Sequence, residues 1–162
     1  MNQNEFREKL EQSRNYREIF ALVKRSAKDA LGLQRSGLML YLEELPLNIG
    51  AFHQIGSNGI VLNRRLLRIM PKTVRTATGM NSFLFTILLH EYLHSLGYLD
   101  EQQVRNLVHK ISLEAFGSDH PTVQMALNPP FPRIPLPDVF ARNSEPPEII
   151  KDFEEPRQMY IV

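Results

Sequence analysis

The sequence has no cysteine and almost no net charge, and both absences exclude classes of function. Without cysteine there is no disulfide, no thiolate nucleophile and no cysteine-based zinc or iron–sulfur site, so any metal must be held by His, Asp or Glu. Nineteen Lys and Arg against eighteen Asp and Glu give a formal charge of +1. There is no overall attraction to nucleic acid, and no helix-turn-helix or zinc-finger spacing accompanies the basic stretch 64–75, so a nucleic-acid partner is disfavoured.

The sequence also lacks an apolar run long enough to span a membrane. The stretch 83–89 is interrupted by Thr86 and is followed directly by His90 and Glu91. The first residues carry acids and bases where a secretory signal would need an apolar segment. We therefore expect a cytoplasmic protein that makes no membrane contact.

Length and patterning predict one α+β domain over residues 1–120. A helical pattern covers 4–31, with Asn15 and Glu18 resembling a capping box and Gly32 at the exit. Three short apolar runs predict a small sheet of about three strands at 37–43, 49–54 and 59–63. Further helices are predicted at 64–70, where Pro71 would stop the helix, at 81–96 and at 100–116.

The remaining residues, 121–162, have a different composition and are called the arm here. Nine of the eleven prolines lie between Pro121 and Pro156, so we expect an extended segment and neither regular helix nor central strand. Apolar residues interleave with the prolines, which favours docking on the domain. Residues 45–90 contain no acid, whereas 138–155 contain six, so the arm is expected to fold back onto the basic stretch.

The stretch that indicates chemistry is His-Glu-x-x-His at positions 90–94, on a predicted helix. Residues four apart share a helical face with Cβ atoms about 6 Å apart, so His90 and His94 can direct two imidazole nitrogens at one ion. Glu91 lies beside the first histidine, where its carboxylate can hold a water bound to the metal. It is the candidate general base.

This motif resembles that of the zincin zinc metallopeptidases, in which the helix lies beneath a substrate cleft. The resemblance implies a zincin-like fold, Zn²⁺ bound by His90 and His94, and Glu91 as the catalytic residue. It further implies a hydrolase that cleaves peptide or protein substrates with a Glu-activated, zinc-bound water. The edge strand that holds an extended substrate in that clan would be the segment 56–63, which is otherwise an ordinary sheet strand.

Two residues compete for the third ligand. Asp100, three beyond Gly97, resembles the Asp-zincin and metzincin pattern, although true metzincins have histidine there. Asp100 also suits a helix N-cap, with Gln103 three residues later. Glu114, twenty residues after His94, has the spacing of the gluzincins, but about 18 Å along antiparallel helices separates it from the histidines unless the helices cross widely. We place Asp100 first.

Two further hypotheses concern regulation and the alternative to catalysis. The end of the arm could dock in the cleft and keep the enzyme latent, so that truncation after about Pro137 would raise activity. Alternatively, the chain is a catalytically silent zincin-like module that binds or regulates a partner. Loss of cleavage in Glu91→Ala with zinc retained would favour the enzyme over the module.

Overall fold

The computed structural model describes residues 1–133, 135, 138 and 145–154, and over these residues the chain forms an α+β fold. The helices are α1 (Gln3–Gln12), α2 (Tyr16–Leu31), α3 (Arg64–Thr73), α4 (Ala77–Ser95), α5 (Glu101–Phe116) and α6 (Pro121–Leu127). The strands are β1 (Met39–Glu43), β2 (Ala51–His53), β3 (Gly59–Asn63) and β4 (Glu148–Ile150). The predicted α+β class is confirmed.

The strands form one mixed sheet in the order β2-β3-β1-β4. The central pair, β1 and β3, is parallel, and the two edge strands pair antiparallel with it. Alternate residues of the central strands, such as Leu40 and Ile60, are fully buried against the helices. One face of the sheet therefore rests on the helical layer, and α4 is the helix that runs through the core with Phe85, Leu89 and Tyr92 completely buried.

Each of these helices begins at a polar side chain that accepts a hydrogen bond from a backbone N–H group of the first turn. Such N-caps pair donors that have no partner within the helix. These N-cap residues are Asn2, Asn15, Asn63, Thr76, Asp100 and His120. The Asn15 cap explains why the predicted single helix over 4–31 is two helices. Its Oδ1 accepts from the backbone N–H of Glu18 at 2.8 Å, so a new helix starts at residue 16.

The helices differ from the sequence prediction in three further respects. Pro71 does not stop α3, which continues to Thr73. Helix α4 begins at Ala77, four residues earlier than predicted, because the Thr76 hydroxyl caps it. Residues 121–127, predicted to be extended, form the helix α6. Proline is compatible with this helix because Pro121 lies in its first turn, where a backbone N–H would have no partner within the helix.

The fold-back of the arm onto the basic stretch is visible in residues 145–154. Arg68 forms an ion pair with Glu145 at 2.8 Å, and Arg64 donates to the backbone oxygen of Pro146 at 2.9 Å. Strand β4 then adds to β1, and Phe153 stacks on Phe20 with ring centroids 4.1 Å apart. This segment lies at the sheet edge opposite β2.

Residues 155–162, which the latency hypothesis placed in the cleft, lie outside the described residues. Among the described residues, no helix has both the length and the apolar character needed to cross a membrane.

Candidate functional site

Helices α4 and α5 bring together three side chains that could bind a metal ion. His90 and His94 lie one turn apart near the end of α4, and Glu101 is the first residue of α5. One ligand atom from each residue lies within 4.8 Å of the other two. The Nε2 atom of His90 is 3.1 Å from Glu101 Oε2, and that of His94 is 2.7 Å from Glu101 Oε1. Both imidazoles therefore face the same carboxylate.

A tight turn after α4 fixes the orientation of His94. Gly97 has a φ of 108°, a conformation that favours glycine, and it reverses the chain so that the Tyr98 carbonyl points back at the helix. The Nδ1 atom of His94 lies 2.7 Å from that carbonyl oxygen. A carbonyl accepts only, so the ring proton is on Nδ1 and the Nε2 of a neutral ring carries a lone pair.

This tautomer has an electrostatic consequence. The lone pair on His94 Nε2 faces the lone pairs of Glu101 Oε1 at 2.7 Å, and two such groups repel. The arrangement therefore calls for positive charge, supplied either by a second proton on His94 or by a cation held between the side chains.

The ionisation states of the other two side chains suit a cation site. Burial lowers the pKa of His90, although Glu101 partly offsets the effect. Partial burial alone would raise the pKa of Glu101, but the neighbouring His90 and His94 outweigh it and hold the pKa below its ordinary value. A neutral imidazole and an ionised carboxylate are the forms that bind metal.

Glu91 is buried between this cluster and the sheet, with only 6% of its surface exposed. The backbone N–H of His53 on β2 donates to its carboxylate. Burial raises the pKa of Glu91 to about 7, and His94 and the His53 N–H act in the opposite direction. A carboxyl group with a pKa near neutrality is suited to accept and release a proton.

A cavity of about 550 Å³ opens beside the cluster, within the size range of small-molecule and peptide pockets. Its charged end is formed by His90, Glu91 and Glu101, and Arg105 lies one turn further along α5. The other lining residues are mostly apolar and come from the segment before and into β2, from the three helices α4, α5 and α6, and from the segment directly after α6: Asn48, Ile49, Gly50, Ala51, Phe83, Thr86, Ile87, Val108, Met125, Ala126, Leu127, Pro129 and Phe131.

Among the described residues, the group that could hold a metal contains Glu101 and not Asp100, the residue that the sequence placed first. The Asp100 carboxylate accepts from the backbone N–H of Gln103 at 2.7 Å and caps α5. Glu114, the rival, is exposed in the last turn of α5, about 20 Å along the helix from Glu101. One sequence signal could have found Glu101: once Asp100 is engaged as the cap, the adjacent acid is free to face the histidines.

The edge strand also differs from the prediction. The segment 56–63 was the candidate, but its strand β3 is internal, since it pairs with β1 on one side and β2 on the other. Strand β2 is the edge that lies next to Glu91 and the cavity. Its three residues are too few for their pairing position to be read from the sequence.

Comparison of the chain with protein-family models, curated proteins and solved structures gave no match.

Proposed function

We propose that the chain is a zinc-dependent metallopeptidase with a zincin-like fold, in which His90, His94 and Glu101 bind Zn²⁺ and Glu91 is the general base. The observation that carries this proposal is the convergence of two imidazole Nε2 atoms and one carboxylate on a common point, next to a buried glutamate and a cavity. Two histidines and one glutamate are a known ligand set of catalytic zinc, which leaves a coordination position for water or substrate.

The donor set fits a divalent cation in a second respect. His94 is held through Nδ1 by the Tyr98 carbonyl, the type of outer contact that orients a metal-binding imidazole. The lone pair on its Nε2 then needs a positive partner where Glu101 already supplies negative charge. Burial lowers the pKa of His90, so this ring favours the neutral form that binds a metal ion.

In peptide hydrolysis, each of the groups in and around the cluster would have a different role. Zinc, when bound, activates water for attack and polarises the substrate carbonyl. Glu91 accepts the proton of the attacking water on a carboxylate oxygen and passes it to the leaving amine nitrogen. The His53 N–H holds the Glu91 carboxylate in place. An extended substrate would lie along residues 48–51 with one side chain in the cavity.

The ligand set is tested by elemental analysis and zinc titration of purified protein. Loss of zinc is expected in His90→Ala, His94→Ala and Glu101→Gln, because each removes one donor. Asp100→Asn is the matched control, since asparagine also caps helices and should leave the zinc content unchanged. If Asp100→Asn loses zinc and Glu101→Gln keeps it, the proposed ligand set is wrong.

Catalysis is tested on a synthetic peptide library with mass-spectrometric detection of products. Glu91→Gln should retain zinc and abolish cleavage, since an amide cannot accept the proton. If wild type binds zinc but cleaves no peptide, and Glu91→Gln leaves the function of the protein in the cell unchanged, the chain is a silent binding module instead.

A further inference from the structure

Two stripes of side chains give the cavity a direction. On α4 the stripe runs backwards from His90 through Ile87 to Phe83, and on α5 it runs forwards from Glu101 through Arg105 to Val108. Residues three and four apart share a helical face, so each stripe lines one wall. The cavity lining is therefore charged next to the candidate zinc ligands His90 and Glu101 and apolar further along the two helices, with Arg105 between the two ends.

Arg105 forms no ion pair or hydrogen bond with the part of the chain that the structure describes, although two acids line the same cavity. Each carboxylate oxygen of Glu101, one turn away, contacts the Nε2 atom of a histidine. The carboxylate of Glu91 accepts a hydrogen bond from the backbone N–H of His53. By contrast, Arg64 and Arg68 at the opposite edge of the sheet share Glu44 and Glu145. Arg105 is an exposed residue of α5 that also lines this mostly apolar cavity, so its guanidinium can reach a ligand bound there.

We propose that Arg105 binds a carboxylate of the substrate, on the side of the scissile bond that enters the cavity. This inference rests on the proposed peptidase function and adds a substrate class to it: peptides that carry a free carboxylate one or two residues beyond the bond that is cleaved. The guanidinium fork matches a carboxylate through two parallel N–H···O bonds. The carboxylate can come from the end of the peptide or from an acidic side chain.

Distance along α5 sets where that carboxylate must be. Four residues of helix separate Glu101 from Arg105, about 6 Å at 1.5 Å per residue. An extended peptide advances about 3.5 Å per residue. A carboxylate on Arg105 therefore belongs to the first or second residue after the scissile carbonyl, and the apolar walls formed by Ile87 and Val108 accept the side chain of that residue.

The test compares peptides that differ in one carboxylate. One pair has the same sequence with a free C-terminal acid or a C-terminal amide two residues after the cleaved bond. A second pair is amidated and has Glu or Gln at that position. At least about tenfold faster cleavage of the acid member of one pair is expected, as for a charge-assisted contact, and the pair that shows it identifies the source of the carboxylate.

Two variants on α5 test whether the preference for a carboxylate depends on the side chain of Arg105. Arg105→Gln should bring the acid-to-neutral rate ratio close to one, whereas Lys110→Gln, which removes an exposed cation outside the cavity, should preserve it. Equal rates for both pairs in wild type would overturn the inference while leaving the peptidase proposal intact. So would a preference that survives in Arg105→Gln.

A binding measurement decides the inference without cleavage. N-acetyl-leucyl-leucine as free acid and as amide are titrated by calorimetry into protein stripped of metal by a chelator. Tighter binding of the acid, lost in Arg105→Gln and kept in Lys110→Gln, is the expected result. Equal affinity for acid and amide would overturn the proposal whether or not any peptide is hydrolysed.

Discussion

The Nδ1 atom of His94 lies 2.7 Å from the backbone oxygen of Tyr98, and this contact depends on the turn at Gly97. Alanine at position 97 would be strained at a φ of 108°, even though its Cβ would meet no atom within 4 Å. We expect Gly97→Ala to lower the free energy of unfolding by about 1–2 kcal/mol and, because the Tyr98 carbonyl moves, to weaken zinc binding about tenfold. Chemical denaturation and zinc titration measure the two effects.

A second glycine separates the two effects. Gly32 ends α2 with a φ of 69° and equally open surroundings, and it belongs neither to the cluster nor to the cavity lining. Gly32→Ala should lower stability by a similar amount and leave zinc affinity unchanged. Equal zinc affinities in the two variants would mean that the Tyr98 carbonyl does not position His94.

Arg35 connects the end of α4 to the hairpin that carries the edge strand. Its guanidinium donates to the Ser95 backbone oxygen at 2.8 Å and to the Ser57 backbone oxygen at 2.9 Å. Because one side chain bridges both elements, Arg35→Ala should lower the free energy of unfolding by about 2–3 kcal/mol. Urea denaturation gives this value directly.

The control for Arg35 is Arg25, whose ion pair with Asp29 lies on the surface of α2. Exposed pairs four residues apart contribute little, so Arg25→Ala should change stability by less than about 0.5 kcal/mol. A loss of the same size in both variants would show that the bridge between α4 and the hairpin adds no particular stability.

Local signals in the sequence predicted those parts of the fold that are decided locally. The Asn15 cap and the Gly32 exit are present because each depends on neighbouring residues only. The roles proposed for Glu101 and Arg105 could not be read in this way, since they depend on how α5 lies against α4 after the turn at Gly97. For the same reason the HExxH spacing indicated the two histidines, and only the tertiary arrangement brought the third candidate ligand to them.

The arm illustrates the same limit at a larger scale. Its prolines correctly excluded a central strand, but β4 lies at an edge, where unpaired N–H groups are tolerated. The charge segregation predicted the ion pairs with Arg64 and Arg68. Composition alone could not indicate that Phe153 would fill a position in the core next to Phe20.

Phe153 should make the arm essential for stability. Its side chain is 3% exposed and stacked on Phe20, so Phe153→Ala is expected to lower the free energy of unfolding by about 3 kcal/mol or more. Ile149→Ala on β4, where the side chain is 53% exposed, is the control and should lower it by less than about 1 kcal/mol. Thermal or denaturant unfolding distinguishes the two.

Because Phe153 is expected to be needed for stability, truncation after Pro137 is not a suitable test of the latency hypothesis. Truncation after Pro137 removes β4 and Phe153, so loss of folding is expected rather than activation. Truncation after Glu154 keeps these contacts and removes only residues 155–162. A stable, folded protein after the longer truncation would contradict the assigned role of Phe153.

Folding stability should also depend on pH through His120, which caps α6 and stacks on Phe116 with ring centroids 4.5 Å apart. Its Nδ1 accepts from the backbone N–H of Thr122 at 3.2 Å, a contact that requires the unprotonated nitrogen. Burial first, and Arg7 second, lower its pKa to about 4, while Asp119 acts in the opposite direction.

The unfolded chain takes up this proton near pH 6.5 and the folded protein only near pH 4, so the unfolded state binds more protons between these values. The contribution of His120 is therefore complete above pH 6.5 and is lost as the pH falls to about 4, by about 2–3 kcal/mol. His120→Asn keeps a capping side chain but cannot titrate. Denaturation at pH 7 and pH 4 should show wild type more stable than this variant at pH 7, with the difference shrinking by that amount at pH 4. A difference that stays constant would mean that His120 is not buried in its neutral form.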